Sequence, residues 1–264
     1  MRLALGLEYD GSRFLGWQTQ AGGGTVQDAL QGALAAIAGQ PIAVVAAGRT
    51  DRGVHAIRQV VHFDAPVERP LNAWVKGVNA FLPASVAVQW AVPVAPDFHA
   101  RFSATARAYR YLLENRAVRP ALLSRYAGWQ HGRLDFGAML EAAAVFRGQQ
   151  DFSAFRSAEC QARSPVRTLH VLEIEQRSAT RIEFLFRANA FLHHMVRNIV
   201  GTLIYVGKGR LRPAEVAAIL ASRDRARAAP TFQPEGLYLV DVEYPPQFAL
   251  PAPAAENLMF AQAG

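Results

Sequence analysis

One order of secondary structure, met twice along the chain, constrains the fold more than any other feature of this sequence. Leu3, Leu5, Leu7 and Tyr9 alternate with small or polar residues, the two-residue period of a half-buried strand, and Asp10-Gly11-Ser12 ends it. Thr25 suits the N-cap of a helix, with Asp28 in its first turn. The apolar face of that helix is Val26, Ala29, Leu30, Ala33, Leu34 and Ile37, and Gly39 stops it. Ile42–Ala47 reads as a buried strand, Gly48–Ala56 as a loop, Gln59–Asp64 as a strand, Pro70–Leu82 as a helix and Val86–Val92 as a strand. From Arg107 the rhythm returns. A strand (Arg107–Leu113) and a helix (Phe136–Phe146) precede two strands, Thr168–Gln176 and Arg181–Ala188. A long helix (Ala190–Val206) closed by Gly207 follows, then a helix Pro213–Ala221 with proline at its first position, then a strand Leu237–Val242.

The order β-α-β-β-α-β is that of a split, ferredoxin-like unit. Two such units predict an α/β (α+β) chain. Its two ferredoxin-like halves would form a continuous, mostly antiparallel sheet with a central active-site cleft. The halves are expected at residues 1–100 and 101–246, with an extended Pro-rich tail over 247–264. A chain of 264 residues, 51% hydrophobic and 19% charged, has the composition of a packed protein with a large core. The first strand turns polar too soon for a signal peptide, and no apolar run reaches the ~18 residues of a membrane span. The one cysteine, Cys160, excludes an internal disulfide and fits a reducing compartment. The expectation is a soluble, cytoplasmic protein.

Charge narrows the partner. The formal net charge is +7, and all but two of the 28 bases are arginine, the exceptions being Lys76 and Lys208. Residues 1–100 are net neutral, so residues 101–264 carry the whole excess, with seven arginines and one acid, Glu114, between Arg101 and Arg133. A basic field attracts polyanions, and the planar guanidinium grips phosphate. Codon bias accounts for the excess of Arg over Lys equally well.

The densest segment is Ala47-Gly48-Arg49-Thr50-Asp51-Arg52-Gly53-Val54-His55-Ala56. It sets an acid between two arginines and brackets them with glycines that let backbone approach a bulky ligand; the flanking cations favour an ionised Asp51. Alone, it would read as a plain turn. It stands with Tyr9-Asp10-Gly11, Gly16-Trp17-Gln18, Thr25-Val26-Gln27, Phe98-His99-Ala100-Arg101-Phe102-Ser103, and the run from Ala188 to Asn198 that contains His193-His194-Met195-Val196-Arg197. Together, in this order and from Tyr9 to Tyr244-Pro245, they closely resemble the tRNA pseudouridine synthase A family.

That resemblance implies two ferredoxin-like halves, one mixed sheet and a central cleft. It places the family's catalytic aspartate on Asp51. It assigns to Arg49 the holding of the target nucleotide out of its stem, to Tyr109 a stack on the uracil, and to Arg197 a pairing with the catalytic carboxylate. Arg101, Arg107, Arg110 and Arg156 are the RNA-binding candidates. The substrate implied is the tRNA anticodon stem-loop, at tRNA positions 38, 39 and 40, and the enzyme a homodimer. Phe232 stands where the family has a small residue, which bears on local packing.

The implied reaction breaks the N1–C1′ bond of uridine, turns the base and rejoins it through C5. It needs no redox change and no group donor, hence no cofactor. A carboxylate can add to C6, attack C1′ or take the 2′ proton. Tyr109 is either the base that removes the C5 proton or a stacking plate.

Other features point elsewhere only weakly. His193 and His194, read as adjacent helix residues, would point ~100° apart, so no metal is expected. Gly207-Lys208-Gly209-Arg210 lacks P-loop spacing. Cys160 has no thiol partner, and Trp17, Trp74, Trp90 and Trp129 are expected in the core. A non-catalytic RNA-binding protein would show an aromatic RNP signature, and a metal-dependent nuclease would cluster acids; neither pattern is present.

Overall fold

The computed structural model describes residues 1–252, and the chain divides into two compact units, residues 1–105 with the chain from Tyr238, and Ala106–Leu237. The expected tail beyond Ala252 lies outside the described residues. Before it, Pro246–Phe248 form a 3₁₀ turn, and the carbonyl of Pro251 accepts from Arg58 at 2.5 Å.

In the first unit the elements run β1 (Arg2–Tyr9), α1 (Val26–Ala38), β2 (Val45–Ala46), β3 (His55–Asp64), α2 (Val78–Phe81) and β4 (Val86–Pro93). The strand order is β4-β1-β3-β2, each pair antiparallel, with Leu5 of β1 opposite Val61 on one side and Ala91 on the other. This is the ferredoxin-like arrangement that the sequence pattern predicted. α1 starts where its capping signals lie. Thr25 accepts from the Asp28 N–H, the Asp28 carboxylate accepts from the Thr25 N–H, and Gly39 ends the helix at φ 75°. The helix buries Val26, Leu30, Ala33, Leu34 and Ala38.

Two expectations change. The strand at Ile42–Ala47 shrinks to Val45–Ala46, because the Val44 N–H is taken by the Gln31 side chain of α1 rather than by a sheet neighbour. The helix at Pro70–Leu82 contains a π-helical turn, Ala73–Gly77, ahead of α2. That wide turn carries Trp74, fully buried against the ring of Phe63.

The second unit contains β5 (Ala106–Asn115), β6 (Gly128–Gln130), α3 (Phe136–Ala143), β7 (Gly148–Asp151), β8 (Val166–Gln176), β9 (Arg181–Ala188), α4 (Met195–Gly207) and α5 (Pro213–Ser222). Its strands run β5-β9-β8-β7, all antiparallel, and β6 lies parallel beside β5. β6 and β7, three and four residues long, carry no readable alternation. α4 starts five residues later than its apolar pattern predicts. His194 takes a left-handed conformation (φ 64°) at its N-cap, and the Asn189 side chain turns the chain by accepting from Thr168 N and Ala190 N. Along α4 only Arg197 and Tyr205 are not buried. Trp90 and Trp129 are half-buried rather than core, and Trp129 lines a shallow hollow with Arg119 and Gln233.

The last strand, β10 (Leu237–Glu243), was expected to close the second half. From Tyr238 it belongs to the first unit instead, where it runs parallel to β3 with Tyr238 opposite His55.

Candidate active site

Asp51 sits in the connection from β2 to β3, and its main chain is fixed on both sides. The Thr50 carbonyl accepts from Trp17 N (2.9 Å), and the Asp51 carbonyl accepts from Val54 N (3.1 Å). Two peptides before the Thr50 carbonyl, the Gly48 carbonyl accepts from Gln59 Nε2 (2.7 Å). Thr50 is itself buried, its hydroxyl 2.8 Å from the Tyr9 hydroxyl, which Gln59 also reaches. Burial pushes the Tyr9 phenol up to about 12 in spite of those two partners, so it stays a neutral hydrogen-bonding group.

Four separate sequence motifs therefore meet in one place. Tyr9 ends β1. Gly16-Trp17 lies against the Asp51 turn, and Val26 N and Gln27 N at the start of α1 donate to Gly16 O (3.1 Å) and Trp17 O (3.1 Å). Gly16 is required there twice over. Its φ is +104°, and a Cβ would lie 3.0 Å from Thr50 O and 3.2 Å from the Asp51 carbonyl carbon. The turn leaves Asp51 half-buried, with Arg49 and Arg52 exposed on either side. After it, the buried His55 ring stacks on Tyr238 at 4.6 Å. The motifs were legible in the sequence, but their packing around the Asp51 turn was not, because most of the bonds that join them use the main chain.

In the second unit Tyr109 lies in β5 opposite Phe186 of β9. It is buried, with the ring of Phe191 edge-on at 5.1 Å. Arg197 stands in the first turn of α4, and its Nε donates to the Phe232 carbonyl (2.8 Å) while the Phe232 N–H donates back to the Arg197 carbonyl (3.3 Å). Both bonds use the main chain of Phe232. The larger side chain at that position packs near Tyr111, with ring centroids 5.9 Å apart. His193 and His194 precede α4 rather than lying on it, and their rings are 4.0 Å apart, so the divergence expected of helical neighbours does not apply.

The four RNA-binding candidates differ in environment. Arg107 is buried, with Nη1 on the Asn189 carbonyl (3.0 Å). Arg110 forms an ion pair with the buried Glu183 at 2.9 Å. Arg156 is half-buried, and Arg101 is exposed beside the ring of Phe102.

Comparison with known proteins gives one consistent result. A sequence model of a family described as tRNA pseudouridine synthase matches residues 7–103 and 142–245. Arg49, Asp51 and Arg197 lie inside those segments, and Tyr109 lies between them. A tRNA pseudouridine synthase A of Dechloromonas aromatica is 58% identical over 253 residues, 96% of each chain. One of Chromobacterium violaceum is also 58% identical over 253 residues, again 96% of each chain. One of Herminiimonas arsenicoxydans is 53% identical over 264 residues, 98% of this chain and 96% of its own. A solved Cbf5-Nop10-Gar1 complex superposes with a TM-score of 0.41 at 9% identity, covering 90% of this chain and 48% of that one, which adds nothing to the assignment.

Proposed function

The chain belongs to the tRNA pseudouridine synthase family, and on that premise we propose that it isomerises uridine to pseudouridine at positions 38, 39 and 40 of the tRNA anticodon stem-loop, with Asp51 as the catalytic carboxylate. The observation that carries this reading is the Asp51 turn. Its peptides are bonded before and after the aspartate, so the backbone that carries the carboxylate is held in place, with Arg49 and Arg52 beside it in the sequence. Preorganisation of that kind is what a group acting directly on a substrate atom requires.

In this reading the target nucleotide leaves its stem before reaction, and contacts to the RNA backbone offset the lost stacking. Arg49 holds the displaced nucleotide, and Tyr109 meets the uracil face. Arg197, its Nε on the Phe232 carbonyl, pairs with the catalytic carboxylate. Asp51 attacks C6 or C1′, or takes the 2′ proton. In each route the N1–C1′ bond breaks, a C5–C1′ bond forms, N1 gains a proton and C5 loses one. The bond that Asp51 makes to carbon is broken again, or the 2′ proton it takes is returned, before release, so the net change lies within the substrate and the reaction calls on no cofactor. We place the enzyme in the cytoplasm as a homodimer, in keeping with the family it resembles. No helix among the described residues is long and apolar enough to cross a membrane.

Tritium release from C5-labelled uridine in tRNA, with chemical mapping of the product, tests the proposal. The wild type is expected to release label and yield pseudouridine in the anticodon stem-loop. Asp51→Asn is expected to release none while melting like the wild type. Full release by Asp51→Asn would remove Asp51 from the mechanism, and product at other tRNA positions would overturn the site assignment.

A further inference from the structure

The loop between β4 and β5 presents an aromatic surface that the reaction does not use. Phe102 is 75% exposed, in a segment that is otherwise pinned down. Arg2 Nη1 donates to the carbonyls of Pro96 (2.6 Å) and Phe98 (3.0 Å), and the Tyr244 hydroxyl donates to the Ala100 carbonyl (2.6 Å). Phe98 is buried with the rings of Tyr244 and Phe248 each 5.1 Å away. His99 is locked into the same turn. Its Nδ1 accepts from the main-chain N–H groups of Arg101 (3.2 Å) and Phe102 (3.1 Å), and the main-chain N–H of His99 donates to Ser103 Oγ (2.9 Å). Burial lowers the pKa of this imidazole, in keeping with the Nδ1 lone pair that both N–H groups need.

The His99 ring stacks on Phe102 at 4.3 Å and 26°, and the Arg101 guanidinium lies 5.5 Å from the Phe102 ring centroid. A single exposed apolar side chain needs no explanation. This ring, however, is braced by a stacked imidazole, has a guanidinium over it, and rests on a backbone held from three sides. Its ordering entropy is already spent before any ligand arrives. Aromatic faces backed by arginine are what unpaired nucleobases stack on, because every base has a π-face whatever its sequence.

We propose that His99, Arg101 and Phe102 form a stacking platform for an unpaired nucleobase of the tRNA, with the Arg101 guanidinium on the adjoining phosphate. From His55, next to the Asp51 turn, to His62, which packs against His99, β3 advances seven residues, about 23 Å at ~3.3 Å per residue. The platform therefore holds a nucleotide other than the one that reacts. It sets register on the tRNA rather than contributing to the chemistry. The inference rests on the tRNA reading above.

The test is tRNA affinity of the full chain at two salt concentrations, with melting and sedimentation of each variant and pseudouridine formation by the wild type on the same tRNA. Phe102→Ala is expected to weaken binding about tenfold at both salts, as for loss of one stacked base, with an unchanged melting temperature. Phe102→Trp is expected to retain affinity and to show tRNA-dependent quenching beyond that of the native tryptophans. Arg101→Ala should weaken binding mainly at low salt. Equal affinity of Phe102→Ala and wild type would overturn the platform, as would full retention by Phe102→Leu. Dissociation of an oligomer by Phe102→Ala would also overturn it, assigning the ring to a contact between copies of the chain. If the wild type forms no pseudouridine, the tRNA reading itself fails and takes the platform with it.

Discussion

Arg197 shows how a single side chain is fixed by residues far from it in sequence. Its Nε is bound to Phe232 O, and the segment leading to Phe232 is tied to α4 by a polar cluster. Asn198 is fully buried: its Oδ1 accepts from Thr231 Oγ1 (2.7 Å) and Arg225 Nη2 (3.1 Å), and its Nδ2 donates to Phe155 O (2.7 Å). Arg225 Nη1 donates to the carbonyls of Ala228 (3.2 Å) and Ala229 (3.0 Å), and Thr202 Oγ1 accepts from Ala229 N (3.4 Å). Replacing Asn198 strands the buried Phe155 carbonyl and takes an acceptor from the half-buried Thr231 and Arg225. Asn198→Ala is thus expected to lose about 1–3 kcal/mol in urea denaturation. Its kcat is expected to fall further than its folded fraction does, because the anchor of Arg197 is loosened. A variant as stable as the wild type would mean that the cluster does not hold the segment. Arg197 itself was legible as a cation in a motif. The clamp was not, because a bond to a main-chain carbonyl 35 positions away leaves no residue pattern.

At the level of elements, what was legible followed local rules. α1 was readable from Thr25, Asp28 and Gly39 because caps and period reside in the helix itself. β5, β8 and β9 were readable as strands, β9 from its polar-apolar alternation. The start of α4 was misplaced because Ala190-Phe191-Leu192 continues the apolar pattern, while the Asn189 side chain and the left-handed His194 break the backbone. β2, β6 and β7 are too short to show a period. The far end of β3 adds a pH dependence that composition could not reveal. His62 is buried, and its Nδ1 accepts from Ala100 N (3.1 Å). Burial, then the neighbouring His99 and Arg2, push its pKa down to about 4, with Asp64 opposing. Since the unfolded chain binds this proton near 6.5, the unfolded state takes up more protons between the two values. Stability from this group is complete above pH 6.5 and is lost as pH falls toward 4. Urea midpoints should therefore drop from pH 7 to pH 4.5. His62→Asn keeps an acceptor for Ala100 but cannot titrate, and it should flatten that drop in part, leaving the share of His99. An identical pH profile for the two proteins would refute the assignment.

Across the whole molecule the positive excess must be separated into cations that hold the fold and cations that face solvent. In the second unit Arg181 pairs with Glu114 directly across β5 and β9 (2.8 Å), Arg110 with Glu183 (2.9 Å), Arg177 with Glu183 and Glu175, and Arg223 with Asp151. Glu114 and Glu183 are both buried, so their arginines neutralise charges that water cannot reach. Position in the sequence alone made Arg101, Arg107 and Arg110 equivalent, because the charge count cannot see burial. The structure separates them, and charge reversal should do the same. Arg101→Glu, at an exposed site, is expected to leave the melting temperature unchanged, weaken tRNA binding and lower the slope of log affinity against log salt by about 1. Arg110→Glu would set a second carboxylate against buried Glu183 and is expected to destabilise the fold by about 3–5 kcal/mol. Its fall in tRNA binding should track the unfolded fraction, and the salt slope of the folded remainder should match the wild type. Denaturation and salt titration of the same two variants distinguish the roles. A stable Arg110→Glu protein with a reduced salt slope would return Arg110 to the RNA-contacting set. A destabilised Arg101→Glu protein would place Arg101 among the cations that hold the fold.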